Sequence, residues 1–118
     1  MTQPRIRALH HVQITVPTAA EADAREFYLQ FLGLQEILKP ASLRSAGGFW
    51  IQLGTQQVHI SPEDGVDRSH LKSHIAYEVD DLEAWRQKLS TRRLMIEDTL
   101  PIDGSGRDAS SAIRLATA

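Results

Sequence analysis

Apolar and polar positions alternate through Leu9-His10-His11-Val12-Gln13-Ile14-Thr15-Val16-Pro17. Val12, Ile14 and Val16 fall on one face of a strand; His11, Gln13 and Thr15 fall on the other. A strand whose second face carries histidine and glutamine is suited to line a wet cavity. The pattern returns in Ser73-His74-Ile75-Ala76-Tyr77-Glu78-Val79-Asp80. There Ile75, Tyr77 and Val79 share one face, and His74, Ala76 and Glu78 the other. Phe49-Trp50-Ile51-Gln52-Leu53 and Gln57-Val58-His59-Ile60-Ser61 alternate in the same way around a Gly54-Thr55 turn and read as a hairpin. Its apolar face is Phe49, Ile51, Leu53, Val58 and Ile60; its polar face holds Trp50, Gln52, Gln57, His59 and Ser61.

Between these strands the period lengthens. Ala20, Ala24, Phe27, Tyr28, Phe31 and Leu32 recur at helical spacing, with Glu21, Asp23, Arg25 and Glu26 on the wet side. Thr18-Ala19-Ala20-Glu21 has the form of a capping box, and Gly33 suits the left-handed position after the helix. A short strand over 34–38 and a loop over 41–48 follow. Residues 62–72 read as a polar connection. In the second half, Asp80-Asp81-Leu82-Glu83 begins a helix with Leu82, Trp85 and Leu89 as its stripe, Asp80 reading as the cap. Arg92 and Arg93 stand near its electronegative end. Residues 95–100 read as a strand, and 112–116 as a short, weak final one. The order is a repeat of one βαβββ unit, which buries a single sheet face and needs a second unit to complete a core.

Composition narrows the chemistry. The chain has 118 residues, 42% hydrophobic and 24% charged, which fits one globular domain. Its net charge of −2 argues against nucleic acid as a partner. With no cysteine, any metal site must use imidazole, carboxylate or amide groups. Residues 1–7 read as a loose leader without an apolar signal core, and no apolar run reaches membrane-spanning length, so a cytoplasmic protein without membrane partners is expected.

Taken together, the segments His11–Pro17, Ala24–Leu34, Gly48–Gly54, Gln57–Ile60 and His74–Leu82 resemble the vicinal oxygen chelate superfamily of glyoxalases, fosfomycin- and bleomycin-resistance proteins and extradiol dioxygenases. The resemblance covers roughly residues 8–100, and the order and spacing of the segments carry it. It implies an α+β fold in which two βαβββ modules form a curved mixed sheet around a cavity. Module one spans about 8–61 and module two about 73–118, the second incomplete. It implies a divalent metal, zinc, nickel, manganese or iron, held by His11, His59 and His74. The fourth ligand of the family is a glutamate near the C-terminus. The nearest segment here is Arg107–Leu115, where Arg114 falls at the expected glutamate. The tail after about Pro101 is what a lost reading frame or lost selection would leave.

On this reading Glu78 is the candidate general base, and Gln13, Trp50, Gln52 and Gln57 are candidate substrate contacts. Trp50 is suited to stack on a flat ligand or to face a partner at a dimer interface. Two functions stay open: a metal-dependent enzyme of glyoxalase or dioxygenase type acting on a small oxygen-bearing substrate, and a metal-free binder of the bleomycin-resistance kind. A third possibility is an inactive paralogue. The weak last strand leaves a sheet edge open, so a homodimer is expected.

Overall fold

The computed structural model describes residues 3–92 and 112–115. The chain divides into two compact units, one running to Asp67 and the other from Arg68.

The first unit is a four-stranded mixed sheet of order β1-β4-β3-β2, built from β1 (His11–Val16), β2 (Gln35–Ile37), β3 (Phe49–Leu53) and β4 (Gln56–Pro62). β1 runs parallel to β4, while β3 is antiparallel to both β4 and β2. The register puts Val12, Val58, Ile51 and Glu36 in one cross-strand row and Ile14, Ile60 and Phe49 in the next. Directly paired residues share a face, so the apolar phases of β1, β3 and β4 coincide. The connection between β1 and β2 lies in the same unit. It contains a short 3-10 turn over Thr18–Ala20, α1 (Glu21–Arg25) and a π-helical turn over Glu26–Phe31. Buried together are Val16, Phe49, Ile51, Val58 and Ile60 of the strands with Ala24 and Tyr28 of the helical segment. The Tyr28 and Phe49 rings meet at 6.5 Å, and the Arg25 guanidinium lies 4.9 Å above the Phe49 ring. Phe27 and Phe31 stack one turn apart at 5.8 Å. The widened last turn closes through Leu32 N–H to Phe27 carbonyl, and Gly33 ends it at φ 76°, the left-handed conformation its position requires.

The capping box does not form. Thr18 turns instead to Asp64, which accepts from its backbone N–H at 2.9 Å and from its hydroxyl at 2.8 Å. Glu21 accepts the Gly48 N–H at 2.8 Å. Both side chains tie distant segments together in place of capping their own helix. The loop before β3 contains a 3-10 turn over Ala41–Ala46 and is held by the same cluster. Arg25 bonds Glu36 at 3.1 Å and the Gly48 carbonyl at 3.3 Å, and Lys39 donates to the Gly47 carbonyl.

In the second unit β5 (Ile75–Glu78) pairs antiparallel with β6 (Ala112–Leu115), matching Tyr77 with Ile113. The weak final strand expected from 112–116 is therefore present. The helix α2 (Leu82–Ser90) buries Leu89 completely. Its cap is Asp81, one residue later than the sequence pattern suggests: the Asp81 carboxylate accepts the Ala84 N–H at 3.0 Å. The strand expected over 95–100 lies outside the described residues. Among the described residues, no helix is long and apolar enough to cross a membrane.

Candidate functional site

The face of the first sheet opposite its apolar core carries the candidate chemistry. Register places Gln35 and Ile37 of β2 beside Gln52 and Trp50 of β3, then Gln57, His59 and Ser61 of β4, then His11, Gln13 and Thr15 of β1. Each strand contributes alternate residues, so one period-2 pattern repeated four times assembles a continuous polar surface.

Its centre is a stack of rings. Trp50 and His59 are direct cross-strand partners, and their rings lie 3.8 Å apart at 3°. His11 stacks on His59 at 4.1 Å and 13°. The three come from β3, β4 and β1, and His59 in the middle is only 4% exposed. Expected on a wet face, His59 is on that face but is covered by its two neighbours. Its Nε2 lies 2.9 Å from the Gln57 Oε1. With the amide oxygen accepting, Nε2 carries the proton and Nδ1 keeps its lone pair. Burial, with the charges of His11, His10 and Lys39 behind it, lowers the His59 pKa below the ordinary imidazole value. The ring is thus kept in the neutral form, the one that ligates metals. His11 in turn meets His10 through their Nδ1 atoms at 2.9 Å, one donating and one accepting.

The other candidates are placed as follows. Gln13 is the register partner of His59 on β1. Gln52 spends its amide on the hairpin, donating to the carbonyls of Gly54 at 2.8 Å and Gln56 at 3.2 Å. His74 and Glu78 belong to the second unit. His74 is exposed just before β5 and donates from Nδ1 to the Lys72 carbonyl at 2.8 Å; Glu78 is the exposed last residue of β5. Among the described residues, no group of three or more His, Asp or Glu stands close enough together to hold a metal ion. His10, which the alternation places on the apolar phase as a structural residue, meets the stack through His11.

A divalent ion lies in the plane of each imidazole that binds it, along the nitrogen lone pair. The donor chemistry of His11 and His59 fits a first-row divalent metal. Their near-parallel planes do not point at one place, so joint chelation requires one ring to turn.

The family model for the Glyoxalase/Bleomycin resistance protein/Dioxygenase superfamily matches residues 8–110. Among solved structures, a glyoxalase-family protein from Bacillus anthracis is 29% identical, covering 86% of this chain and 83% of that one, with a TM-score of 0.73. The genomically encoded fosfomycin resistance protein FosX from Listeria monocytogenes is 16% identical over 96% of this chain and 92% of that one, with a TM-score of 0.64. A mutant of that FosX, complexed with Mn(II) and 1S,2S-dihydroxypropylphosphonic acid, aligns at 14% identity over 96% of this chain and 91% of that one, with a TM-score of 0.63. No curated protein matches the chain.

Proposed function

Because the chain belongs to the glyoxalase/bleomycin resistance protein/dioxygenase superfamily, we propose that the polar face of its first sheet binds a divalent metal and a small oxygen-bearing substrate. His59 carries this reading: a buried, neutral imidazole, oriented through Gln57 and set against a second imidazole from a strand 48 positions away. An outer hydrogen bond that fixes the tautomer of a histidine is the usual support for a metal ligand. His59 and, once its ring has turned, His11 are the residues that would hold the ion. A bound cation supplies Lewis-acid stabilisation to adjacent substrate oxygens. Gln13 and Gln57 border it with amide groups that orient a polar ligand, and Trp50 offers a flat apolar wall. Solved relatives support the metal: one FosX structure is a Mn(II) complex.

A second reading has its own support. The Trp50–His59–His11 stack is already closed as an aromatic column, which suits a metal-free binder of flat ligands. Calorimetric titration with Mn(II), Zn(II), Ni(II) and Fe(II), checked by elemental analysis, separates the two. The metal reading expects one ion per chain, lost in His11→Ala and in His59→Gln. A loss in His74→Ala as well adds the second unit to the ligand set. No uptake of any of the four ions leaves the metal-free binder. We further propose a homodimer, because β1 stands at the edge of its sheet with one side unpaired among the described strands.

A further inference from the structure

We propose that Asp64-Gly65 is a modification site, where aspartate isomerises spontaneously to isoaspartate, and that Thr18 governs how fast it does so. Asp64 and Thr18 lie just past the ends of β4 and β1, and neither belongs to the ring stack.

The chemistry is intramolecular. The Gly65 amide nitrogen attacks Cγ of the Asp64 side chain. A C–N bond forms, the amide proton is lost, and one carboxyl oxygen leaves as water, giving a cyclic succinimide. Water then opens the ring. Addition at Cγ returns aspartate. Addition at the former main-chain carbonyl carbon leaves the chain running through Cγ, as isoaspartate. One water leaves and one enters, so the mass is unchanged and no co-reactant is needed. Glycine obstructs the attack least, because no Cβ stands beside its nitrogen. Gly65 is at φ 81°, with nothing within 4 Å of where a Cβ would lie. Both residues are exposed, so water reaches the ring.

Thr18 opposes ring closure. Asp64 Oδ1 accepts the Thr18 N–H at 2.9 Å, and Oδ2 accepts the Thr18 hydroxyl at 2.8 Å. Closure needs a protonated carboxyl that can shed water and a side chain free to swing onto the Gly65 nitrogen. The two donors favour the anion and hold the side chain toward the end of β1. Conversion also undoes the clamp. Isoaspartate carries one more main-chain carbon, and its carboxylate sits directly on Cα with no methylene between. The pair of bonds to Thr18 does not survive that change. The neighbouring Glu63 N–H donates to the Val16 carbonyl at 2.8 Å and extends the β1–β4 ladder by one bond. With the clamp gone, this end of the ladder frays.

The test incubates the 118-residue protein in heavy-oxygen water at neutral pH, below its melting temperature. Each ring opening adds one heavy oxygen to the Asp64 peptide, read by mass spectrometry, and electron-transfer fragmentation tells isoaspartate from aspartate. The folded wild type is expected to convert more than about tenfold more slowly than the same chain in urea. Thr18→Val, which loses the hydroxyl bond, is expected to convert about tenfold faster than wild type, and Thr18→Ser to return to the slow rate. Gly54→Ala, which weakens the hairpin away from the clamp, should keep the wild-type rate. In the converted fraction the Glu63 N–H should exchange with solvent faster by NMR. The proposal is overturned if folded wild type converts as fast as the urea-unfolded chain, if Thr18→Val matches wild type, or if Thr18→Ser stays fast. Acceleration in Gly54→Ala equal to that in Thr18→Val overturns it too, because global opening would then set the rate. Unchanged Glu63 exchange in the converted fraction removes the link to the strand ends and overturns it as well.

Discussion

Gly48→Ala should be among the most damaging single-methyl additions this protein can suffer. Gly48 has φ 81°, and a Cβ built on it lies 2.2 Å from the Ile60 carbonyl oxygen and 3.1 Å from the Ser61 Cα. Real Cβ contacts do not fall below 3.0 Å, so β3 and β4 must part by about 0.8 Å where β3 begins. Neither side yields cheaply. Ile60 is 1% exposed and pairs with Phe49, and Gly48 is tied through both its N–H and its carbonyl. The left-handed backbone costs an L-residue about 1–2 kcal/mol. Overpacking a closed core adds roughly 1–3 kcal/mol, and a weakened ladder bond about 1 kcal/mol. Reduced freedom of the unfolded chain returns about 0.4–1 kcal/mol. The expected loss is about 3–5 kcal/mol, a large share of the roughly 5–15 kcal/mol that holds a domain folded. Gly54→Ala is the control: φ is 60° there, but nothing lies within 4 Å of the added carbon, so only the backbone cost of about 1–2 kcal/mol applies, less the same unfolded-chain return of about 0.4–1 kcal/mol. Urea unfolding of both variants, followed by circular dichroism, measures the difference. Values for the two within about 0.5 kcal/mol of each other would show that the close approach of Gly48 to β4 carries no energy, and the account of how β3 is seated would fail.

Two further outcomes follow from the titrating groups and the sheet edge. The folded-state pKa of His59 lies below its unfolded value near 6.5, so the unfolded chain binds the extra proton first. Stability should fall as pH drops below about 6.5 and level off beneath the folded pKa, as the melting temperature will report. Burial raises the Tyr28 pKa above 10.0, so its contribution is complete below pH 10.0 and is lost as pH rises beyond it through the folded value. The homodimer is tested by light scattering: a mass near twice 13.2 kDa at high concentration is expected, and a monomer throughout counts against it.

Alternation made the first sheet legible. Once β1, β3 and β4 are written with period 2, their polar phases determine which side chains share a surface, and the register confirms that His11, Trp50, Gln57 and His59 do. What alternation does not carry is partner choice at long range. Thr18 and Glu21 satisfy a local capping pattern, yet their partners are 46 and 27 positions away, at Asp64 and Gly48. The burial of His59 was hidden for a related reason. A polar phase predicts the side a residue faces, and here a tryptophan and a second histidine cover the ring from that same side. The D-x-x-E pattern points to Asp80, and the backbone turn decides instead that Asp81 bonds the Ala84 N–H.

The stack also constrains how the site can be used. His59 is held by Trp50 on one face and by Gln57 at its edge, on two paired interior strands. His11 opens an edge strand, is exposed, and is restrained by one ring contact and the His10 nitrogen. If one imidazole turns to share an ion, it is therefore His11. The turn gives up an aromatic contact of about 0.5–1.5 kcal/mol and a neutral hydrogen bond of roughly 1 kcal/mol. That total of about 2 kcal/mol corresponds to some thirtyfold in metal affinity, a modest cost set against imidazole coordination. On the metal reading, the closed column and an open chelate would be two states of one site, with His59 the fixed member in both.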